Sequence, residues 1–495
     1  MNAATHRFEH FVGGKEIAPG KGRYFDSINP TTGAQTGSFA DGCAADVDIA
    51  VRRADEAFCG EWSRLSPTRR GRLLMRWADL IARDADRIGR LETEQNGKLL
   101  AEMRTQAVAV SEWLYYFGGL ADKVEGSVIP LDRRSVLNYT LKEPLGVVAV
   151  ITPWNSPTFL TIMSVAPALA AGNTVVLKPS EVTPRSALEL ARLAEEAGIP
   201  AGVVNTVTGQ REAGEALVDH PLVRKIAFTG GAGAGRDIAS RAGKRLVGTT
   251  LELGGKSPNI VFADADLALA QTGLLAGIFA AAGQTCVAGS RAYIHEDVYD
   301  KLVDGLIARA GAIKIGDPLL ATTQMGPVAT EFQLTKDQSM VARALAEGAE
   351  LLCGGNRAVV DGLPNGLFYE PTILRSNGVD NFIMRNEVFG PVLAITRFSS
   401  DAEVLQMAND SEFGLAAGVW TRDINRAHTM ARALQAGTVW INTYRAMAFN
   451  SPFGGYKQSG LGRLNGIESI QAYLQTKSVW CELSEEAQNP FVIRT

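Results

Sequence analysis

Leu145-Gly-Val-Val-Ala-Val-Ile-Thr-Pro-Trp-Asn155, followed downstream by Val175-Val-Leu-Lys-Pro-Ser-Glu181, is the stretch on which the fold depends. Gly146 to Ile151 and Val175 to Leu177 are continuous apolar runs rather than alternating ones, the pattern of strands buried on both faces. After the second run, Thr183 and Pro184 supply an N-cap and a first-turn residue for a helix that extends to Ala197 and stops at Gly198. Further out, Lys225 to Phe228 reads as a third strand and Thr250 to Leu253 as a fourth. Strands alternating with helices predict a parallel sheet with crossover helices, and open sheets of this kind collect ligands at the carboxyl ends of their strands. Asn155, Lys178, Glu181, Thr229 and Glu252 all fall at or near those ends.

Positions 230–235 read Gly-Gly-Ala-Gly-Ala-Gly, which satisfies G-x-G-x-x-G in no frame. Alone, this loop fits a tight turn as well as it fits a phosphate cradle. A glycine turn leading into a helix N-terminus can nevertheless hold a diphosphate through backbone N–H groups. With Lys178 and Glu181 on a neighbouring strand end, a dinucleotide is the better reading. A carboxylate at Glu181 would accept hydrogen bonds from ribose hydroxyls and repel a 2′-phosphate.

A reactive atom stands in Ala280-Ala-Ala-Gly-Gln-Thr-Cys-Val-Ala-Gly-Ser-Arg291. Its small side chains let a carbonyl approach Cys286 closely, and Phe279 to Ala282 reads as the end of a helix. A lone cysteine is most often an inert core thiol. As a nucleophile it must be a thiolate, and an unperturbed thiol is only slightly ionised at neutral pH. Cys286 therefore needs a proton acceptor, and Glu252 in Leu251-Glu-Leu-Gly-Gly-Lys-Ser-Pro258 is the candidate.

The 495 residues exceed one ordinary core and predict two or three domains. A hydrophobic share of 46% and a net charge of −4 fit a globular chain with no electrostatic footprint for nucleic acid. The five cysteines (43, 59, 286, 353, 481) form neither a paired spacing nor a metal pattern, which points to a reducing compartment and no metal site. Met1 to Arg7 lacks the apolar core of a signal peptide. The uncharged runs Pro144 to Leu177 and Leu267 to Ser290 are interrupted by proline, asparagine, glycine or glutamine and read as protein core, not membrane spans. A cytoplasmic protein is expected.

Elsewhere, residues 8–40 carry short strand-like pieces, and Leu73, Leu74, Trp77, Leu80, Ile81, Ile88 and Leu91 recur at helical spacing. A further helix is expected over Leu99 to Phe117. Val124 to Leu131 and Ser135 to Lys142 read as two strands around the turn 132–134, a projecting arm. A second α/β segment, Ser257 to about Phe453, has expected strands at 292–294, 416–420 and 438–442 and helices near 298–311, 334–347, 401–408 and 423–435. Residues 470–482 read as a final strand, and the last dozen residues as a tail.

Taken together, Pro153-Trp-Asn155, Lys178-Pro-Ser-Glu181, Phe228-Thr-Gly230, Glu252-Leu-Gly-Gly-Lys-Ser-Pro258, Gly283-Gln-Thr-Cys286, Glu387-Val-Phe-Gly-Pro391 and Ser451-Pro-Phe-Gly-Gly455 resemble the NAD(P)-dependent aldehyde dehydrogenases almost end to end. The resemblance implies an α/β fold of two Rossmann-like parallel-sheet domains plus a β-hairpin oligomerisation arm. The NAD-binding domain would span 1–122 and 145–253 and the catalytic domain 254–455. The arm would be 123–144, paired with the C-terminal segment 456–495. A homodimer or homotetramer acting on a small-molecule aldehyde is implied, with no nucleic-acid or membrane partner.

The implied chemistry places Cys286 as nucleophile, the Asn155 amide at the developing oxyanion, and Glu252 as the base that activates water against a thioester. NAD is the implied cofactor, with NADP weaker. Lys178 and Glu181 would hold the adenosine ribose, Glu387 the nicotinamide ribose, and Phe389 would pack by the nicotinamide. Thr152, Pro153, Trp154, Ser180, Gly209, Thr229, Gly230, Gly231 and Leu253 would complete the cofactor contacts. The aldehyde tunnel would be lined by Ser156, Phe159, Leu160, Met163, Phe279, Thr285, Met447 and Phe453. Arg445 stands at its mouth, either gripping a substrate carboxylate or, instead, pairing with a neighbouring acid or simply meeting solvent. Two positions depart from the family pattern: Gly231 replaces the usual serine of the phosphate loop, and Leu464 replaces a glutamate assigned to proton relay. A CoA-acylating relative would tend to lack the carboxylate at Glu252, and a non-catalytic binding protein would not need Cys286, Asn155 and Glu252 together.

Overall fold

The computed structural model describes residues 6–485 and 491. Helix α1 (Ala85–Asn96) precedes a parallel core of β1 (Val147–Thr152), β2 (Thr174–Pro179), β3 (Val204–Thr206), β4 (Val223–Thr229) and β5 (Gly248–Glu252). Their order across the sheet is β5-β4-β1-β2-β3. Antiparallel strands are added at both margins, Gly460–Leu461 beyond β5 and His10–Val12 beyond β3. Val147 to Val150 have no solvent exposure. Val147 and Ala149 join Val47, Val51 and Leu217 in one apolar cluster, while Val148 and Val150 join Ile162 and Leu188 in another. Successive side chains enter different helical layers, and both layers are apolar, so the strand shows no polar alternation.

Helix α2 (Pro157–Ala170) carries the chain from β1 to β2, and helix α3 (Ala232–Lys244) from β4 to β5. The chain lays β2 and β3 on one side of β1, then returns to lay β4 and β5 on the other. The order reverses between β1 and β4, and such a reversal opens a crevice beyond the carboxyl ends of the two strands.

Among the described residues, a second sheet has seven strands in the order 350–353, 372–375, 392–398, 291–295, 258–261, 416–420, 438–441. All its pairs are parallel except the 350–353 margin. The arm strand Val136–Pro144 pairs antiparallel with Leu474–Glu482 from end to end. Among the described residues no helix is long and apolar enough to cross a membrane.

Several segments depart from expectation for local reasons. The helix after β2 is Arg185–Glu196, entered through Pro184. Thr183 does not cap it, because its N–H closes a turn on the Ser180 carbonyl. Helix Leu267–Ile278 ends before Phe279, and Ala281 and Ala282 take φ values of 66° and 50°. The hairpin's first strand shrinks to Val128–Ile129. Just before it, Gly126 lies so close to the Thr140 carbonyl that a Cβ would stand 1.9 Å from its oxygen. Before the final strand, Gly466–Gln471 is a helical turn, with strand pairing from Leu474 rather than Ile470. Positive φ at Asn465 and Gly466 turns the chain into that helix. The expected tail lies mostly outside the described residues.

Candidate active site

The crevice beyond β1 and β4 is a cavity of about 200 Å³. Pro153, Trp154 and Asn155 enter it from β1, Thr229 to Gly231 from β4, and Glu252 to Gly254 from β5. Leu160 on α2 lines one side. Cys286, Glu387 and Phe389 are brought in from the second half of the chain.

Cys286 follows a strained turn. Ala281, Ala282 and Gly283 have successive φ values of 66°, 50° and 70°. Left-handed backbone costs a non-glycine residue about 1–2 kcal/mol, so the turn persists only because its surroundings fix it. Gly283 is wedged against the 390 loop, where a Cβ would stand 1.9 Å from the Gly390 carbonyl oxygen. Gln284 is fully buried; its Nε2 donates to the Pro327 carbonyl (3.4 Å) and its Oε1 accepts from the Ala329 N–H (2.8 Å). Asn155 Nδ2 in turn donates to the Gln284 carbonyl at 3.1 Å. One amide N–H of Asn155 is thus used to face the Cys286 turn, and the second is available for a substrate oxygen.

The electrostatics hold the resting thiol neutral. Burial, then the Glu252 and Glu387 carboxylates, push the Cys286 thiol up to about 12. Glu252 ends β5 with 4% exposure. Among the described residues neither of its carboxylate oxygens has a hydrogen-bond partner. Burial pushes its pKa well above the usual carboxylate range, and Arg463 offsets this only in part. A carboxyl in that state is a base that can take a proton from a thiol or a water near neutral pH.

A second groove, of about 370 Å³, lies across the glycine loop, lined by Ile151, Lys178, Gln210, Phe228 and Ile238. Residues 229–231 face the first cavity and 233–234 the second. Gly231 caps α3 with φ −72° and ψ 146°, and a Cβ on it would meet nothing within 4 Å. Lys178 Nζ lies 3.5 Å from Glu181 Oε2. Burial pushes the Lys178 ammonium below its usual range against the pull of Glu181, whose side chain is half exposed. Ser180 Oγ accepts from the Val182 N–H, Gly209 adjoins Gln210 on the groove wall, and the Thr152 hydroxyl is buried against Thr161. The Leu253 N–H donates to the Ser459 carbonyl.

Glu387 leans on the backbone of the Gly254-Gly255 pair. Its Oε1 accepts from the Gly255 N–H at 3.0 Å, and a Cβ on Gly254 would stand 2.1 Å from Oε2. Phe389 adopts φ 65° and meets Trp154 edge to face, with ring centroids 5.5 Å apart.

On the expected substrate side, Phe159 packs edge to face on Trp113 at 4.9 Å, and Trp113 on Phe449 at 6.0 Å. Met163 has no solvent exposure, and Phe279 and Phe453 are also buried in core clusters. Thr285 is buried and Met447 is partly exposed. Ser156 Oγ accepts from Lys98 Nζ at 3.3 Å. Arg445 is paired: Nη2 lies 3.4 Å from Glu102 Oε1, and Nη1 donates to the Ala276 carbonyl at 3.3 Å. Of the expectations for Arg445, the pairing with a neighbouring acid is the arrangement present.

Sequence reading missed Gln333 and Lys336, which line the cavity beside Glu387. Both lie on helix α4 (Glu331–Ala346), which begins before the expected 334 because Thr330 Oγ1 accepts from the Gln333 N–H. Their spacing on one helical face is the only signal the sequence carries for them. Lys98, Glu102 and Trp113 were also missed; nothing local in the sequence ties them to the site.

The profile of the Aldehyde dehydrogenase family matches residues 17–479. The chain is 45% identical over 492 residues to a (Z)-2-((N-methylformamido)methylene)-5-hydroxybutyrolactone dehydrogenase of Acinetobacter baylyi, covering 99% of this chain and 100% of that one. It is 41% identical to a betaine aldehyde dehydrogenase of Brucella melitensis, over 97% of this chain and 99% of the relative. Among solved structures, it is similar to the NAD+ complex of an aldehyde dehydrogenase from Bacillus cereus, with TM-score 0.94, 39% identity and 97% of each chain covered. It is likewise similar to betaine aldehyde dehydrogenase from Staphylococcus aureus in complex with NAD+, with TM-score 0.96 and 38% identity over 98% of this chain and 97% of that one.

Proposed function

Because this chain belongs to the aldehyde dehydrogenase family, we propose that it oxidises an aldehyde to the carboxylic acid with NAD, through a thioester on Cys286. One observation carries the reading: the Asn155 amide is tied to the Cys286 turn, and a buried carboxyl with no hydrogen-bond partner among the described residues, Glu252, shares their cavity.

Cys286 Sγ, on losing its proton, forms a C–S bond to the aldehyde carbon, and the carbonyl oxygen takes the electron pair. The Asn155 amide and the Cys286 N–H stabilise that oxyanion; losing one such donor typically costs ~10²–10³ in rate. Bound NAD supplies the acceptor for the hydrogen that leaves the same carbon with its electron pair, so that the thiohemiacetal becomes a thioester. Glu252 then takes a proton from water, whose oxygen displaces Sγ and releases the acid.

The two grooves across the glycine loop fit a dinucleotide. The open space at Gly231 and Gly233 lets backbone N–H groups approach a diphosphate. Lys178 and Glu181 would meet the adenosine ribose, and Glu387, Gln333 and Lys336 the nicotinamide end. Glu181 favours NAD over NADP, as a preference and not an exclusion, because water reaches half of its side chain. The division into a cofactor half before Gly254 and a catalytic half after it belongs to the same proposal, as does self-association through the arm. Arg445 is engaged by Glu102, so the proposal assigns no substrate carboxylate to it.

Cys286→Ala tests the reading: NADH formation should vanish with any aldehyde while NAD binding, measured by quenching of tryptophan fluorescence, persists. Activity near wild type in that variant would overturn it.

A further inference from the structure

The catalytic reading leaves three buried polar residues at the end of α1 unexplained. Glu92 and Asn96 have no solvent exposure and Lys98 has 2%. Four residues apart, Glu92 and Asn96 share one helical face, and that face is turned to the segment carrying Asn155. Glu92 Oε1 accepts from the Thr158 N–H at 2.7 Å. Asn96 Nδ2 donates to the Trp154 carbonyl at 3.2 Å, and Lys98 Nζ to Ser156 Oγ at 3.3 Å. Every one of these contacts lands within three residues of Asn155, and together they hold the chain on both sides of it.

The same turn also sets the other partner of the Asn155 amide. Gly97, with φ 76°, ends α1 under Pro327; a Cβ on it would stand 2.6 Å from Pro327 Cγ. A Cβ on Gly326 would stand 2.0 Å from the Gly97 carbonyl oxygen. Pro327 and Ala329 hold the Gln284 side chain, and the Gln284 carbonyl receives the Asn155 amide. Donor and acceptor of the 3.1 Å bond that orients Asn155 are therefore both referred to one rigid turn.

We propose that Glu92 and Asn96 are positioning residues for the Asn155 amide, holding its free N–H where the substrate oxyanion forms. The inference rests on the reaction proposed above. It asks side chains that touch no reacting atom to set the rate of the oxyanion-forming step, since a misplacement near 1 Å at a reacting centre can cost about a hundredfold.

A double-mutant cycle tests it, with the single-turnover burst of NADH as readout. Glu92→Met removes the acceptor at similar volume, Glu92→Gln keeps it, and Asn96→Asp keeps the Oδ1 contact to the Lys98 N–H while losing the donor to Trp154. Glu92→Met and Asn96→Asp should each slow the burst by about tenfold or more with NAD affinity unchanged, and Glu92→Gln should stay near wild type. In an Asn155→Ala background the same substitutions should change the rate by less than about twofold, because residues acting through one group are not additive. Equal losses in both backgrounds, or Gln failing as badly as Met, would overturn the proposal. If Glu92→Met does not fold, Asn96→Asp in the two backgrounds decides it alone. A wild-type enzyme that forms no NADH in a single turnover would instead sink the reaction itself, and this is seen before any substitution is made.

Discussion

Glu252 is the residue at which stability and the proposed function oppose each other. Its carboxyl is buried without a hydrogen-bond partner among the described residues, and burial raises its pKa well above the usual range. A carboxyl with a raised folded-state pKa binds more protons folded than unfolded, so stability falls as pH rises above the unfolded value. Glu252→Gln removes the titrating group while leaving a buried polar side chain, so its Tm should gain on that of the wild type as pH rises above the usual carboxylate range. The same substitution should lower steady-state turnover by ~10²–10⁴, with one NADH burst per site and partial rescue of turnover by hydroxylamine. Absence of any burst would assign Glu252 to deprotonating Cys286, and an unchanged steady-state rate would contradict both roles. In the wild type, kcat/KM should rise with pH through the neutral and alkaline range, because the Glu252 carboxyl, pushed well above its usual range by burial, must be ionised to take the proton of a thiol pushed up to about 12. A profile already flat at pH 6 would contradict this.

At the scale of elements, β1 and β2 were legible because burial on both faces writes a strand as one unbroken apolar run, whereas β4 and β5 mix polar and apolar residues and were legible from their place in the strand–helix alternation. Asn155, Lys178, Thr229 and Glu252 were legible with them, since a ligand crevice has to lie where those strands end. The turn at Ala281–Gly283 was not: alanine favours helix, and its left-handed backbone is imposed by the 390 loop, which lies far off in sequence. Glu92, Asn96 and the Glu102–Arg445 pair were illegible for the same reason, as their partners lie 58 to 343 residues away. The glycine loop at 230–235 offers a test of an element by one substitution. Gly231 already has the extended backbone of an N-cap, and its Cβ position is open. Gly231→Ser should add a hydroxyl that can cap α3 or meet a diphosphate oxygen, the former worth a few tenths of a kcal/mol. The KM for NAD should fall by about two- to fivefold, the equivalent of about 0.4–1 kcal/mol. A higher KM would mean that the loop approaches its ligand too closely for any side chain.

For the whole molecule, the proposed self-association falls to the arm. Leu474–Glu482 pairs with Val136–Pro144 on one edge and, among the described residues, with no strand on the other. An open edge of this length is a template for pairing with a second chain unless it is shielded. The sheet also shows apolar side chains to solvent: Leu137 and Leu141 point from one face, and Trp480 is 64% exposed. Side chains of this size, exposed to solvent, gain most by burial against another copy, at about 25 cal/mol per Å² removed from water. Asn138 is buried here, its Nδ2 donating to Ser478 Oγ and the Val479 carbonyl, so the sheet is rigid enough to present a fixed surface. Leu137→Glu together with Leu141→Glu places two like charges on that face without touching the backbone pairing. Light scattering after gel filtration should then give the mass of one chain, where the wild type gives two or four. A wild type that is itself a single chain, or a variant that keeps the wild-type mass, would show that this surface is not where the copies meet.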